Sequence, residues 1–365
     1  MIRSLLSHDL PRSKPLAVLL ALCFLGLLGA PFIFPGTQAL NVAAKILVFI
    51  LLVASYDLLL GYTGIVSFAH TMFVGIGAYG IAIASTRLGA DWTSLAIGFA
   101  AALALSAVLA LAMGLASLRV KAIFFAMITL AVASAFMTLA SQLSEFTGGE
   151  DGLNFQLPEV LRPSTEFMDD PFLGVMLDGR LLTYYLLFIA VTALIALLLR
   201  IVNSPFGRVL QAIRENDFRA EAIGFRTVVY RTLSNVLAAL FACAAGVLLA
   251  LWLRYTGPDT TLSFEIMLDI LLIVVIGGMG TLYGAVVGAV LFMLAQNYLQ
   301  ELLKLAYTGL DGRDGLSWLA PWFSPDRWLL WLGVLFVLSV YYFPTGVVGR
   351  LRAMQSAPQE PVASH

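Results

Sequence analysis

Charge is what this chain is short of. Only 12% of its 365 residues are Asp, Glu, Lys or Arg, against about 25% in an ordinary soluble domain. The formal net charge is −1, so there is no electrostatic basis for binding nucleic acid. Cysteine is scarce too. Cys23 and Cys243 both lie in apolar runs without ligand spacing, which excludes a disulfide framework or a metal site and predicts buried free thiols. The three histidines, at 8, 70 and 365, are too dispersed to share a metal. None of the four lysines follows a glycine, so the phosphate loop G-x-x-x-x-G-K-[ST] is missing and the chain cannot by itself hydrolyse ATP through one. Neither H-E-x-x-H nor G-x-S-x-G occurs, and an intramembrane enzyme finds little support.

In place of these stands hydrophobicity, with 60% of residues apolar. Runs near 15–34, 42–60, 71–85, 93–117, 122–141, 181–201, 231–254, 265–282, 284–303 and 328–346 approach the ~20 residues that cross a bilayer. They predict an all-α polytopic membrane protein with about ten transmembrane helices. The runs at 71–85 and 265–282 are short or broken, and one of them reads equally as re-entrant. The first run follows Arg3, Arg12 and Lys14 like a signal peptide, but its length and the position of Pro31 favour an uncleaved span. An even number of spans returns both termini to one side. With the N-terminus inside, Arg119, Lys121, the arginines between 200 and 231, Arg350 and Arg352 all fall in the cytoplasm, as the positive-inside bias requires.

This divides the chain into a cytoplasmic segment 1–14, a single transmembrane domain 15–350 and a cytoplasmic tail 351–365 expected to be disordered. Residues 142–180 form a long periplasmic loop with eight acids and two bases. TGGEDGL at 147–153 is turn chemistry, and Pro158, Pro163 and Pro171 deny the loop long helices. A loop of that length reads as a docking surface for an external partner or as a solvated lid. Asp311, Arg313, Asp314 and Pro321, with Trp318, Trp322 and Trp328, look like an interfacial belt.

One charged segment, 202–230, interrupts the apolar pattern. Its core SPFGRVLQAIRENDFRAEAIGFR, 204–226, reads as one helix: Ser204 can cap, Pro205 suits the first position, and Gly224 ends it. Val209, Leu210, Ile213, Ala220 and Ile223 recur at helical steps. From Arg200 to Arg231 there are six arginines against three acids, which places the segment in the cytoplasm. It is either a coupling element that receives force from a soluble partner or an interfacial helix lying on lipid.

Two glycine-rich stretches, GYTGIVSFAHTMFVGIGAYG at 61–80 and GGMGTLYGAVVG at 277–288, break the apolar runs. Gly61, Gly64, Gly75, Gly77, Gly277, Gly278, Gly280 and Gly284 are candidate helix breaks lining a path, or else close-packing points between helices. Ionisable groups within spans are few. Asp57, His70, and the pair Glu265 and Asp269 one turn apart are candidates for the translocation path, since a charge in hydrocarbon costs about 2.5–3.5 kcal/mol on insertion scales. The bland alternative is that Asp57 and His70 bond broken backbone and that the other two sit among headgroups.

In order and spacing, GYTGIVSFAHTMFVGIGAYG, LRVKAIFFAMITLA at 118–131, TGGEDGL, SPFGRVLQAIRENDFRAEAIG and VIGGMGTLYGAVVGA resemble the LivM-type permeases of branched-chain amino acid ABC importers, from about residue 40 to 350. The family usually has S-L-G-H-A where Ser67 to Thr71 stand, Pro at Ala285 and Asn at Asp57. The resemblance implies a bacterial inner-membrane subunit that works with a second related permease, two cytoplasmic ATPases and a periplasmic substrate-binding protein. No cofactor is expected on this chain itself, ATP and Mg belonging to the ATPases. The turn around Glu221, Ala222, Ile223 and Gly224 is similar to the E-A-A-like loop that meets the ATPase, which makes Arg208, Arg214, Glu215, Arg219, Glu221, Ala222 and Gly224 the expected coupling residues. Tyr62, Thr63, Ser67 and His70 are the expected lining for a small zwitterion, with Glu265 and Asp269 as entry contacts. Rival readings are a urea or amide permease of the same class, a proton-coupled secondary transporter using Asp57 and His70, and a non-transporting scaffold.

Overall fold

A computed structural model of the chain describes residues 14–33, 36–117, 122–167, 176–311 and 322–353. The segment before Lys14, Arg119 and Lys121, the belt residues Arg313, Asp314, Trp318 and Pro321, and the tail beyond Ala353 lie outside them. The helices are α1 (Lys14–Ile33), α2 (Thr37–Asp57, continued by a π-helix Leu58–Thr63), α3 (His70–Leu88), α4 (Trp92–Ser117), α5 (Ala122–Gln142), α6 (Gly179–Asn203), α7 (Pro205–Glu215), α8 (Asp217–Ala222), α9 (Thr227–Leu253), α10 (Phe264–Gly277), α11 (Leu282–Asp311), α12 (Trp328–Tyr342) and α13 (Gly346–Ala353). Ten helical stretches among the described residues are long and apolar enough to cross a membrane, in the positions the hydropathy predicts.

Burial sorts them. In the most apolar part of α2 and its π-extension 89% of residues are buried, against 11% for α1, so α2 is core and α1 lies on the outside of the bundle. Around α2 pack α9, α11, α6 and α10, and α9 lies along both α3 and α4. Small residues allow this. A Cβ on Gly77 would collide with the Cys243 carbonyl, and one on Gly246 with the Val74 carbonyl, so α3 and α9 touch backbone to backbone. Gly77 and Gly75, which abuts the Leu262 side chain, are thus packing glycines within α3. Cys243 is buried in this contact, but Cys23 on α1 is only half-buried, because α1 lies at the rim and not in the core.

The bundle has two unlike ends. One carries α7 and α8 with their arginines. At the other, the described part of loop 142–180 is tied down and is neither loose nor fully solvated. Leu153–Asn154 pairs antiparallel with Tyr255–Thr256, Ser85 Oγ donates to the Gln156 carbonyl at 2.5 Å, and Leu157 and Leu161 are buried. The TGGEDGL turn works through Gly148, Gly149 and Gly152, all at positive φ.

The charged segment is not one helix. Its chain turns extended at Asn216 (φ −161°, ψ 101°), and the Asn216 side chain accepts from Arg219 N–H at 2.9 Å, starting α8 afresh. The physical reason is local, since asparagine caps a new helix better than it continues an old one.

Candidate functional site

The site is built where the arginine-bearing end meets the two glycine breaks. Helix α7 starts on Pro205, directly after α6, and Gly207 lies so close to the Val202 carbonyl that no side chain fits between them. Leu210 and Ile213 are buried, and α7 rests on the π-helix and on α6 and α9. Helix α8 is anchored by Ala220, by an ion pair between Asp217 and Arg231 at 3.0 Å, and by Thr227 Oγ1 donating to Glu221 Oε1 at 2.6 Å. Gly224 (φ 96°) ends the segment, as its position predicts. Arg208, Glu215, Arg219 and Ala222 are exposed around this rim. Phe218 is 86% exposed and Ile223 68%, although Ile223 reads from periodicity as part of the buried face; the break at Asn216 rotates α8 out of register with α7.

Arg214 is exposed like Arg208 and Arg219, but its guanidinium also contacts both glycine breaks. Its Nη1 donates to the carbonyl of Gly61, and its side chain lies over Gly64 and beside Gly280. Asp57, buried at the end of α2, accepts from the Gly280 N–H through Oδ1 at 2.8 Å and feels the Arg214 charge. A Cβ on Gly61 would collide with both Asp57 Oδ1 and the Gly280 nitrogen. Three elements thus converge on one point: α7, the π-helical end of α2, and the turn between α10 and α11. The turn needs its glycines. Gly278 (φ 112°) and Gly280 (φ 80°) take left-handed conformations, while Gly277 and Gly284 bring α10 and α11 into backbone contact.

The remaining predicted path residues lie deeper and are bonded to separate elements. Ser55 Oγ gives its proton to the Leu52 carbonyl at 2.7 Å, which leaves it to accept from His70 Nε2–H at 2.8 Å; the Tyr56 ring stands edge-on to the imidazole. Thr63 Oγ1 donates to the Leu58 carbonyl and shares a 2.9 Å hydrogen bond with Ser234 of α9. Ser67 and Tyr62 are buried. On α10, Glu265 is exposed, whereas Asp269 Oδ2 accepts from Gln296 of α11 at 3.2 Å. The structure therefore brings together Asp57, Gly61, Gly64, Arg214 and Gly280, and does not bring His70, Glu265 or Asp269 to them by any hydrogen bond or ion pair among the described residues. Ser55 and Ser234 escape a reading of the sequence, since a serine inside an apolar helix is ordinary and only its partner gives it a role.

Comparison with known proteins completes the picture. Residues 38–340 match the family described as branched-chain amino acid transport system, permease component. The chain is 25% identical over 288 residues to the high-affinity branched-chain amino acid transport system permease protein LivM of Salmonella typhimurium, covering 75% of this chain and 66% of that protein. A probable LivM of Methanocaldococcus jannaschii is 24% identical over 234 residues, 64% of this chain and 62% of the relative. The permease protein LivH of Escherichia coli is 26% identical over 313 residues, 82% of this chain and 91% of LivH. No solved structure matches the chain.

Proposed function

The chain belongs to the permease-component family of branched-chain amino acid transport systems, and from that premise we propose that it is the transmembrane permease subunit of an ATP-driven importer. It moves branched-chain or similar amino acids inward by alternating access, with no chemistry on the substrate. ATP and Mg act on two cytoplasmic ATPase subunits, a second related permease completes the membrane part, and an external binding protein delivers the substrate. On this reading the arginine-bearing end faces the cytoplasm of a bacterial inner membrane, with both termini on that side.

The observation that carries the proposal is the contact of Arg214 with the Gly61 carbonyl beside Gly280. Helices α7 and α8 present exposed Phe218, Ile223, Arg208, Glu215 and Arg219 to an ATPase partner. Arg214, exposed on the same unit, also holds the backbone where the two breaks meet. Displacement of the surface becomes displacement of α2 and of the α10–α11 turn. Asp57 bonds Gly280 in this junction whereas His70 bonds Ser55, so among the described residues no hydrogen bond joins the two into a proton relay.

The test is uptake by proteoliposomes holding the complete complex. Leucine uptake that needs ATP, the binding protein and both permeases is expected. Uptake by this chain alone, driven by a pH gradient without ATP, would refute the reading, and a cognate binding protein that takes urea and no leucine would move the substrate to the urea or amide class.

A further inference from the structure

At the end of the bundle away from α7, the tied-down loop and the end of α9 form an open concavity of about 640 Å³ whose lining includes Asn154, Phe155, Leu157, Arg162, Leu253 and Arg254. Its wall is part apolar and part cationic. Arg162 is held by its Nε, which donates to the Leu157 carbonyl at 2.9 Å, so the guanidinium is set at the cavity wall with no acid paired to it among the described residues. Arg254 likewise has no ion pair there. Next to it stands a third cation, Arg180, racked in place by Nη2 donating to Asn41 Oδ1 at 2.8 Å and by the Trp252 ring 5.4 Å from its guanidinium carbon. Burial, and then the Arg180 charge, push Arg254 below the ordinary arginine range. Positive charges are thus crowded in a half-buried place although the loop that builds the wall is rich in acids.

The backbone adds an independent sign. Arg254 (φ 55°, ψ 20°) is the left-handed residue that ends α9, and among the described residues no other non-glycine residue has positive φ. Glycine is the ordinary occupant of such a helix end. An arginine there carries a backbone cost that glycine would not. Its conformation is fixed from both sides, by its own N–H donating to the Ala250 carbonyl at 2.8 Å and by its carbonyl accepting from Phe155 N–H at 3.2 Å.

We propose that this cavity is a carboxylate site, in which Arg254 and Arg162 take the anionic end of a small amphiphile and Phe155, Leu157 and Leu253 take its apolar side. A guanidinium pair answers a carboxylate with parallel N–H donors, and a concave wall of mixed character suits a molecule with one charged end and one aliphatic end. Resting on the transport reading above, the amphiphile is the amino acid on its way into the path. The rival source of the same chemistry is an acidic side chain of the external binding protein.

The experiment uses the complete complex in nanodiscs. Calorimetric titration measures leucine and leucinamide, which lacks the carboxylate, and a second titration measures the loaded binding protein. Arg254→Gly relieves the strained backbone and is expected to fold at least as stably as the parent, and Arg162→Gln keeps the Leu157 contact within reach of its amide. Each is expected to weaken leucine at least tenfold and to leave the affinity of the binding protein within twofold; leucinamide is expected to bind the parent no better than leucine binds Arg254→Gly. Unchanged leucine affinity in both variants overturns the site, as does a parent complex that transports leucine yet shows no binding of it without the binding protein. A loss confined to the binding protein's affinity also overturns it and gives the arginines to that partner. A parent complex that takes up no amino acid refutes the transport reading, which is a separate failure.

Discussion

Replacing Arg214 by methionine isolates the contact on which the coupling argument turns. The methionine stem still covers Gly64, where the Arg214 Cγ lies 3.1 Å from the place of a Cβ, but the guanidinium and its bond to the Gly61 carbonyl are gone. A hydrogen bond to a charged group contributes about 1.5–3 kcal/mol, and the low end applies at this partly solvated position. A loss of about 1.5 kcal/mol is roughly tenfold in the population of the linked junction. The bundle itself should survive, because Leu210, Ile213 and the Asp217–Arg231 pair still seat the two helices. The expected result in proteoliposomes is therefore uncoupling: ATP hydrolysis continues, uptake falls several-fold or more, and the number of ATP hydrolysed per leucine carried rises. An unchanged ratio at unchanged expression would refute the grip of Arg214 as the link. Loss of complex assembly would show instead that the residue holds α7 in place.

Asp57→Asn keeps an oxygen for the Gly280 N–H and should cost under about 1 kcal/mol, whereas Asp57→Ala orphans a buried donor at about 1–3 kcal/mol; thermal unfolding of the purified protein, read beside uptake, distinguishes them, and a severe Asp57→Asn with normal stability would favour a proton-carrying acid. Gly77→Ala should separate α3 from α9, an overpacking of about 1–3 kcal/mol, with poor membrane yield as the readout; parent-like yield and activity would contradict the backbone contact with Cys243. Phe218→Glu combined with Ile223→Glu should leave a folded protein that no longer co-purifies with its ATPase partner, because both side chains already face solvent.

The spans were legible because a bilayer reads length and hydrophobicity, and both are one-dimensional. Gly224 and Pro205 were legible for a similar reason, each being tied to a single backbone conformation. The break at Asn216 was written in the sequence, but the apolar period runs on across it and hides it. The six-residue π-turn at Leu58–Thr63 left no mark, since a helix that gains one residue per turn there keeps the same composition. Least legible was the crossing itself. Arg214 and Gly61 are 153 residues apart, Asp57 and Gly280 are 223 apart, and nothing local in either glycine stretch says that the other is its neighbour.

On the proposed coupling role, that crossing also gives a reason for an arginine at this position. Where a helix end meets a turn backbone against backbone, as at Gly61 and Gly280, there are no side chains for a neighbour to push on. A force delivered there would have to be applied to peptide groups, and a guanidinium is suited to it, because its planar donors hold a carbonyl in a fixed direction. Asp57 closes the arrangement from below, holding the Gly280 N–H while standing within reach of the Arg214 charge. The glycines that let the helices break are therefore the same ones that leave carbonyl and amide open to be gripped. On that proposal flexibility and grip come from a single choice of residue, and a substitution of Gly61, whose Cβ would meet Asp57 Oδ1 and the Gly280 nitrogen, is expected to disturb the break and the Arg214 contact together.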